Sequence, residues 1–300
     1  MTTTHNTRNP SDSNGRPPRG GRPGPSVPDV AGELRRLMPR DRWLLDLLHQ
    51  HQVFSTEQVA ALCFDNVHTA RNRLNQLGRR AVLERFRDAV RPGSQSWRWT
   101  LGWIGAAYIA YRDGQPAPRP GTIADRVNRL ASSPRLGHLL GVNGFFVDLV
   151  EHARTTPGAR LGVWWSERRC RDVAGELAHP DGYGMWTEDD HTASWWLEYD
   201  TGSEPARRVL DKLDGYVALH RAANLDHAVL YRMQTARQET ELQRRLRTHP
   251  AVTRAGLLVA TTSGDHTLNP AGPVWLPAGH TIRLRLADLP GGAASDDQAA

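Results

Sequence analysis

The chain is nearly without lysine and cysteine. Its 300 residues hold two cysteines, and Lys212 is the single lysine. Cys63 and Cys170 lie far apart, with no CxxC spacing and no Cys/His ligand pattern. A disulfide scaffold and a zinc ribbon are therefore excluded, and the pair reads as free thiols of a reducing cytoplasm. No stretch reaches the roughly 18 continuous apolar residues of a membrane span. The N-terminal region lacks the apolar core of a signal peptide. There is no Walker loop, no dinucleotide fingerprint and no GxSxG elbow, so those nucleotide-binding and hydrolase classes have no support.

What replaces lysine is arginine. The net charge is +6 and the pI about 9.9. The planar guanidinium matches phosphate oxygens two at a time, which points to a nucleic-acid partner. A genome rich in arginine and alanine codons would produce the same bias. The length predicts two domains.

Residues 1–37 form a basic tail, rich in Pro, Gly, Ser and Arg through about residue 30, with too little apolar content for a core. Residues 288–300 form a second loose tail. APRPGT at 117–122 opens a linker over 117–132. The folded parts are then 38–116 and 133–287.

In the first part, RWLLDLLHQHQ has apolar residues at helical spacing. Ser55 and Gln58 form a capping box before a second helix. Asp65-Asn66 turns the chain into a third, with Ala70, Leu74 and Leu77 on its inner face. Residues 82–86 and 97–100 read as hairpin strands around Arg91-Pro92-Gly93-Ser94. This order resembles a winged helix-turn-helix, whose third helix enters the major groove. Thr69, Arg71, Asn72, Arg73 and Gln76 are then the candidate base and backbone contacts, with Arg87 and Arg91 touching phosphates from the wing. A solvated face on a protein–protein module is the other reading of the same residues.

The second part predicts α-β-β-β-α-β-α-β, a mixed α/β layered domain. A long helix spans 133–153, and strands are expected near 161–165, 168–173, 182–186 and 195–200. A helix starting at Ser203-Glu204-Pro205 runs to about Arg221, followed by strands at 227–231 and 255–260. Alternation puts Glu198 and Asp200 on one face of their strand. If the strand opened by Asp181 is its neighbour, three carboxylates converge, a donor set for a hard divalent cation such as Mg²⁺. With Lys212 nearby, such a site would activate water against a phosphodiester. The structural alternatives are a turn at Asp181, a backbone cap at Asp200 and a surface role for Lys212.

Pro180-Asp181 and Glu198-Tyr199-Asp200 resemble the PD-(D/E)xK nuclease superfamily, except that aspartate stands where its lysine would be. The resemblance implies that Asp181, Glu198 and Asp200 hold the metal. It makes Lys212, on the following helix, the missing ammonium, with Arg208 as a substitute and Glu151 as a further acid. HxxxVNxFFxxL at 138–149, HPDGY at 179–183, and LEYDTGSE with KLDGY between 197 and 216 more closely resemble the actinobacterial replication-relaxation family. Its members are associated with plasmid replication, mobilisation and relaxation of DNA. The resemblance implies a winged helix followed by a restriction-endonuclease-like domain. It implies duplex DNA as partner, together with a relaxase, a replication protein or a second copy of the chain. Metal-dependent nicking and a non-catalytic regulatory role both remain open at this point.

Overall fold

The computed structural model describes residues 30–87, 95–202, 206–264 and 269–289. Arg91, the 91–94 connection, the Ser203-Glu204-Pro205 helix start and the outer parts of both tails lie outside these residues.

The N-terminal part contains α1 (Val30–Arg35), α2 (Pro39–His51), β1 (Phe54–Ser55), α3 (Thr56–Cys63), α4 (Val67–Arg79), β2 (Leu83–Phe86), β3 (Arg98–Leu101) and α5 (Trp103–Arg112). Each helix start follows from its sequence. Pro39 opens α2 where no amide donor is needed. The Ser55 hydroxyl accepts from the Gln58 amide, and the Gln58 side chain answers at the Ser55 amide. The Asn66 side chain caps α4 at Thr69. The three strands pair antiparallel in the order β1-β3-β2. Leu44, Leu48, Val59, Leu74, Leu77 and Trp99 close the core between helices and sheet.

Several segments depart from the sequence reading; the helix expected to run to about Arg221 is two, Ala206–Asp211 and Leu213–Ala223, and the strand expected at 255–260 lies at Val259–Ser263. The tail assigned to 1–37 contains α1, which Arg80 ties down by an ion pair to Glu33. The 117–132 linker contains α6 (Pro120–Ala131), with proline in its first turn and Ile123 and Leu130 buried. Residues 168–173 are not a strand but belong to α8 (Glu167–Ala174), capped by Ser166. Cys170 and Ala174 are buried while Asp172 between them is exposed, which fits one turn of helix and breaks the alternation of a strand.

The C-terminal part adds α7 (Leu136–Thr155), β4 (Arg160–Ser166), β5 (Gly182–Glu188), β6 (His191–Tyr199), α9 (Ala206–Asp211), α10 (Leu213–Ala223), β7 (Ala228–Met233), α11 (Ala236–Leu246), α12 (Pro250–Thr253), β8 (Val259–Ser263) and β9 (Leu276–Pro277). A short 3-10 turn lies at Leu286–Asp288. The strands form one mixed sheet in the order β4-β5-β6-β7-β8-β9. β5 and β6 pair antiparallel through the Asp189-Asp190 turn, both of whose residues take positive φ. β6, β7 and β8 run parallel, joined by helical crossovers.

Successive strand residues alternate between the two faces. Trp195 and Leu197 pack with Phe145, Phe146 and Leu149 of α7. Trp196 turns to the opposite face, among Leu213, Tyr216 and Leu242. Both tryptophan pairs in the sequence serve packing: Trp195 and Trp196 are buried, and Trp164 stacks between the rings of Phe146 and His51.

α7 also holds the two parts together. Buried Asn143 donates to the carbonyls of His51 (3.0 Å) and Val53 (2.7 Å). Gln58 donates to the Leu140 carbonyl at 2.8 Å, and Arg154 reaches the Phe64 carbonyl at 3.0 Å. Val147 of α7 belongs to the N-terminal core.

Candidate functional site

Asp181 precedes β5, and its amide donates to the Leu197 carbonyl of β6 at 2.9 Å. Its side chain thus lies at the strand end that carries Glu198. One Asp181 oxygen lies 2.9 Å from His138 Nε2; the other accepts from the Tyr199 amide at 2.8 Å. Burial draws the His138 pKa down, but the Asp181 hydrogen bond and charge outweigh it and the net shift is upward. His138 sits on α7 one turn from Gly141, where an added Cβ would stand 2.6 Å from the Tyr199 ring. The glycine lets α7 approach this strand end.

Glu198 is 3% exposed. Lys212, at the junction between α9 and α10, donates to its Oε2 at 2.8 Å, and the buried Tyr216 hydroxyl donates to Oε1 at 2.6 Å. Burial drives the Glu198 pKa up, opposed first by the Lys212 charge and reinforced by Asp181. The Tyr216 pKa is also raised, by burial and by Glu198. A carboxylate this deep is tolerated only with such partners.

Asp200 is engaged differently. Its Oδ1 accepts from the Gly202 amide at 2.7 Å, closing a turn that Gly202 completes at φ 84°, while its Oδ2 is buried without a partner. The structure therefore brings Asp181, Glu198 and Lys212 together, adds His138 and Tyr216, and uses Asp200 in the turn. Among the described residues no group of three His, Cys, Asp or Glu side chains is disposed to hold a metal ion. All four oxygens of Asp181 and Glu198 already carry hydrogen bonds. This donor set does not fit a hard cation, which asks for several free oxygens. Glu151 is exposed on α7 and Arg208 is exposed on α9. Cys63 and Cys170 are free; burial pushes the Cys63 pKa up to about 12 and the Cys170 pKa up as well.

On α4, Thr69, Arg71, Asn72 and Gln76 are exposed, opposite buried Ala70, Leu74 and Leu77. Arg73 is not part of that free face. Its guanidinium makes a two-pronged ion pair with Asp41, which is 2% exposed, and the same carboxylate caps the Met38 amide. Arg71 lies 3.6 Å from Glu57 with both side chains mostly in water, so the pair constrains it little. Arg87 and Arg85 stack over the Trp97 ring at 4.4 and 4.2 Å, and Arg85 also bonds Asn75 of α4 at 2.8 Å. A groove of about 470 Å³ between α4 and β2 is edged by Asn75, Arg79 and Arg85.

The replication-relaxation family model matches residues 45–230, from within α2 to within β7. The chain belongs to the replication-relaxation family. The match takes in α4, Asp181, Glu198, Lys212, His138 and Tyr216. No curated protein and no solved structure matches the chain. Family membership assigns a role in replication or relaxation. No helix among the described residues is long and apolar enough to cross a membrane.

His138 and Tyr216 are the site residues that sequence reasoning missed. His138 opens the HxxxVNxFFxxL stretch and reads as part of a buried helix side, and Tyr216 closes the KLDGY stretch; neither is given a place in the site by the sequence. The available signal was spacing, since Lys212 and Tyr216 are four apart and face the same way on a helix.

Proposed function

We propose that this protein is a cytoplasmic DNA-binding member of the replication-relaxation family, acting in plasmid or mobile-element replication, mobilisation or relaxation. The N-terminal part docks on duplex DNA as a winged helix. α4 enters the major groove, and the β2–β3 hairpin brings Arg87 to the backbone. The observation that carries this reading is the exposed stripe of Thr69, Arg71, Asn72 and Gln76, which combines a guanidinium with amide side chains suited to base edges. Arg73 acts from inside, holding α4 against α2. In this reading the α/β part is a non-catalytic platform for a relaxase, a replication protein or a second copy of the chain.

Duplex binding measured by fluorescence anisotropy tests this. Arg71→Ala combined with Asn72→Ala should weaken affinity at least tenfold and flatten its salt dependence. Unchanged affinity rejects the docking.

A second reading, Mg²⁺-dependent nicking, draws support from Asp181, Glu198 and Lys212 meeting at one end of the sheet. The oxygens of Asp181 and Glu198 are all engaged, which weighs against it. A supercoiled-plasmid assay with Mg²⁺ or Mn²⁺ decides: nicking lost in Asp181→Ala and Lys212→Ala favours the nuclease, and intact plasmid favours the platform.

A further inference from the structure

The strand that follows α4 carries two arginines on one face. Arg85 lies in β2 and Arg87 just past its end, two residues apart, so their side chains leave the same side of the strand. The β2–β3 register pairs Arg85 with Trp99 and Phe86 with Arg98, and its next step sets Arg87 opposite Trp97. One ring serves both arginines: the Arg85 guanidinium carbon stands 4.2 Å from the Trp97 ring centre, and that of Arg87 4.4 Å. Arg85 also lies 5.7 Å from the Trp99 ring. A cation over an indole face is attracted by the negative face of the ring, more strongly than over phenylalanine or tyrosine.

Both the ring and Arg85 are tied down. The Trp97 carbonyl accepts from the Thr56 amide at 3.0 Å and from the Thr56 hydroxyl at 3.2 Å, which fixes this stretch to the start of α3. Arg85 Nη1 donates to Oδ1 of Asn75 on α4 at 2.8 Å. Asn75 comes three residues after Asn72, so the two are neighbours on the surface of α4, and Asn72 belongs to the exposed polar stripe. Two acids lie close in the chain or in space. Glu84 alternates to the other face of β2, the face of Phe86, which packs with Leu130 and Leu136. Glu57 accepts from the Ser55 and Ser96 hydroxyls and lies 3.6 Å from Arg71. Arg85 and Arg87 themselves are exposed. An exposed arginine ordinarily gives up much rotamer freedom when a ligand fixes it. With ring and amide already restricting Arg85, less of that freedom is left to lose on binding.

We propose that Arg85 is a further contact to the phosphates of duplex DNA, at the junction of α4 and the hairpin, and that Trp97 is the positioning residue that holds Arg85 and Arg87 ready for them. This deepens the DNA-binding reading and rests on it. The Asn75 bond sets Arg85 beside the polar stripe of α4, so a duplex seated on that stripe passes within reach of both guanidinium groups. Trp97 brings no charge of its own. Its removal therefore weakens binding without changing the number of counterions that the DNA releases, whereas removal of a guanidinium changes both.

The test uses the full chain and a mixed-sequence duplex, with affinity read across a salt series and base preference read by selection from a random pool. Arg85→Gln should lower the salt slope by about 0.9, the value of one phosphate contact, and Arg85→Gln/Arg87→Gln by about 1.8. Trp97→Leu should weaken affinity about three- to tenfold at the wild-type slope. Trp97→Phe, which restores a ring, should recover most of that loss. Because Trp97 also packs against the N-terminal core, Arg85→Lys/Arg87→Lys examines the same point without touching it. The charges stay and the flat stacking goes, so affinity should fall while the slope holds. Wild-type affinity and slope in Arg85→Gln overturn the contact. A relaxed base preference in Arg85→Gln at an unchanged slope moves the residue to a base edge and overturns the phosphate assignment. Trp97→Phe as weak as Trp97→Leu, or the lysine variant as tight as wild type, overturns the positioning role. A wild type that binds no duplex sinks the DNA-binding reading itself; a wild type that binds, alongside variants that bind equally, sinks only the roles of Arg85 and Trp97.

Discussion

Lys212 and Glu198 share a 2.8 Å hydrogen bond, and the Glu198 carboxylate is almost completely enclosed. The only lysine of the chain is thus spent on the most deeply buried acid at this sheet end. An ammonium on a flexible stem can reach in from a helix junction and present a compact charge, where a guanidinium would need a wider opening.

Removing that ammonium strands a buried charge. Lys212→Met should lower unfolding free energy by about 2 kcal/mol, less than for a fully enclosed pair because the Lys212 side chain is a third exposed. Adding Glu198→Gln should restore most of the loss, and a denaturant double-mutant cycle measures the coupling. Equal losses in the single and double variants would remove the pair from the account.

Arg73 and Arg71, two residues apart on α4, should separate cleanly. Arg73→Ala leaves Asp41 buried without its guanidinium and should cost about 3 kcal/mol of stability. Arg71→Ala should change stability by less than about 0.5 kcal/mol while weakening DNA binding. Thermal melts beside anisotropy titrations read both effects.

Asp148 on α7 gives the pH prediction. Burial pushes its pKa up to about 7, with Arg232 opposing and Glu151 adding to the rise. The folded state therefore holds this proton more tightly than the unfolded chain. Its contribution to stability is complete below the ordinary carboxylate range and is lost as pH climbs through 7. Asp148→Asn should melt higher than wild type well above pH 7 and alike near pH 4. A gain that is the same at both pH values would contradict the assignment.

Gly215 of the KLDGY stretch lies where α10 touches the chain before β5. A Cβ there would stand 2.0 Å from the Leu177 carbonyl oxygen, which is backbone and cannot swing aside. Gly215→Ala should cost about 3 kcal/mol and loosen the adjacent Tyr216–Glu198 contact. Urea unfolding, with Tyr216→Phe for comparison, checks this.

Local patterns carried most of the elements. The capping pair Ser55/Gln58 and the alternation through Trp195–Tyr199 are short-range signals, and the helix and strand they predict are present. α6 and α8 were hidden for different reasons. Proline in α6 reads as linker unless its first-turn role is weighed, and the two buried residues of α8 are too few to display a period. At the site, the order of Asp181, Glu198 and Lys212 was legible because strand pairing and one helix junction place them. The partners that occupy their oxygens were not. His138 comes from a helix 43 positions earlier in the chain, and the Tyr199 amide depends on strand register. The engagement of Arg73 was equally invisible, since Asp41 lies 32 positions away.

Because α7 lends one side to the sheet and the other to the N-terminal helices, it acts as a common spindle. In the proposed docking, torque on α4 from a bent or twisting duplex would reach the α/β part through the Asn143 and Gln58 bonds.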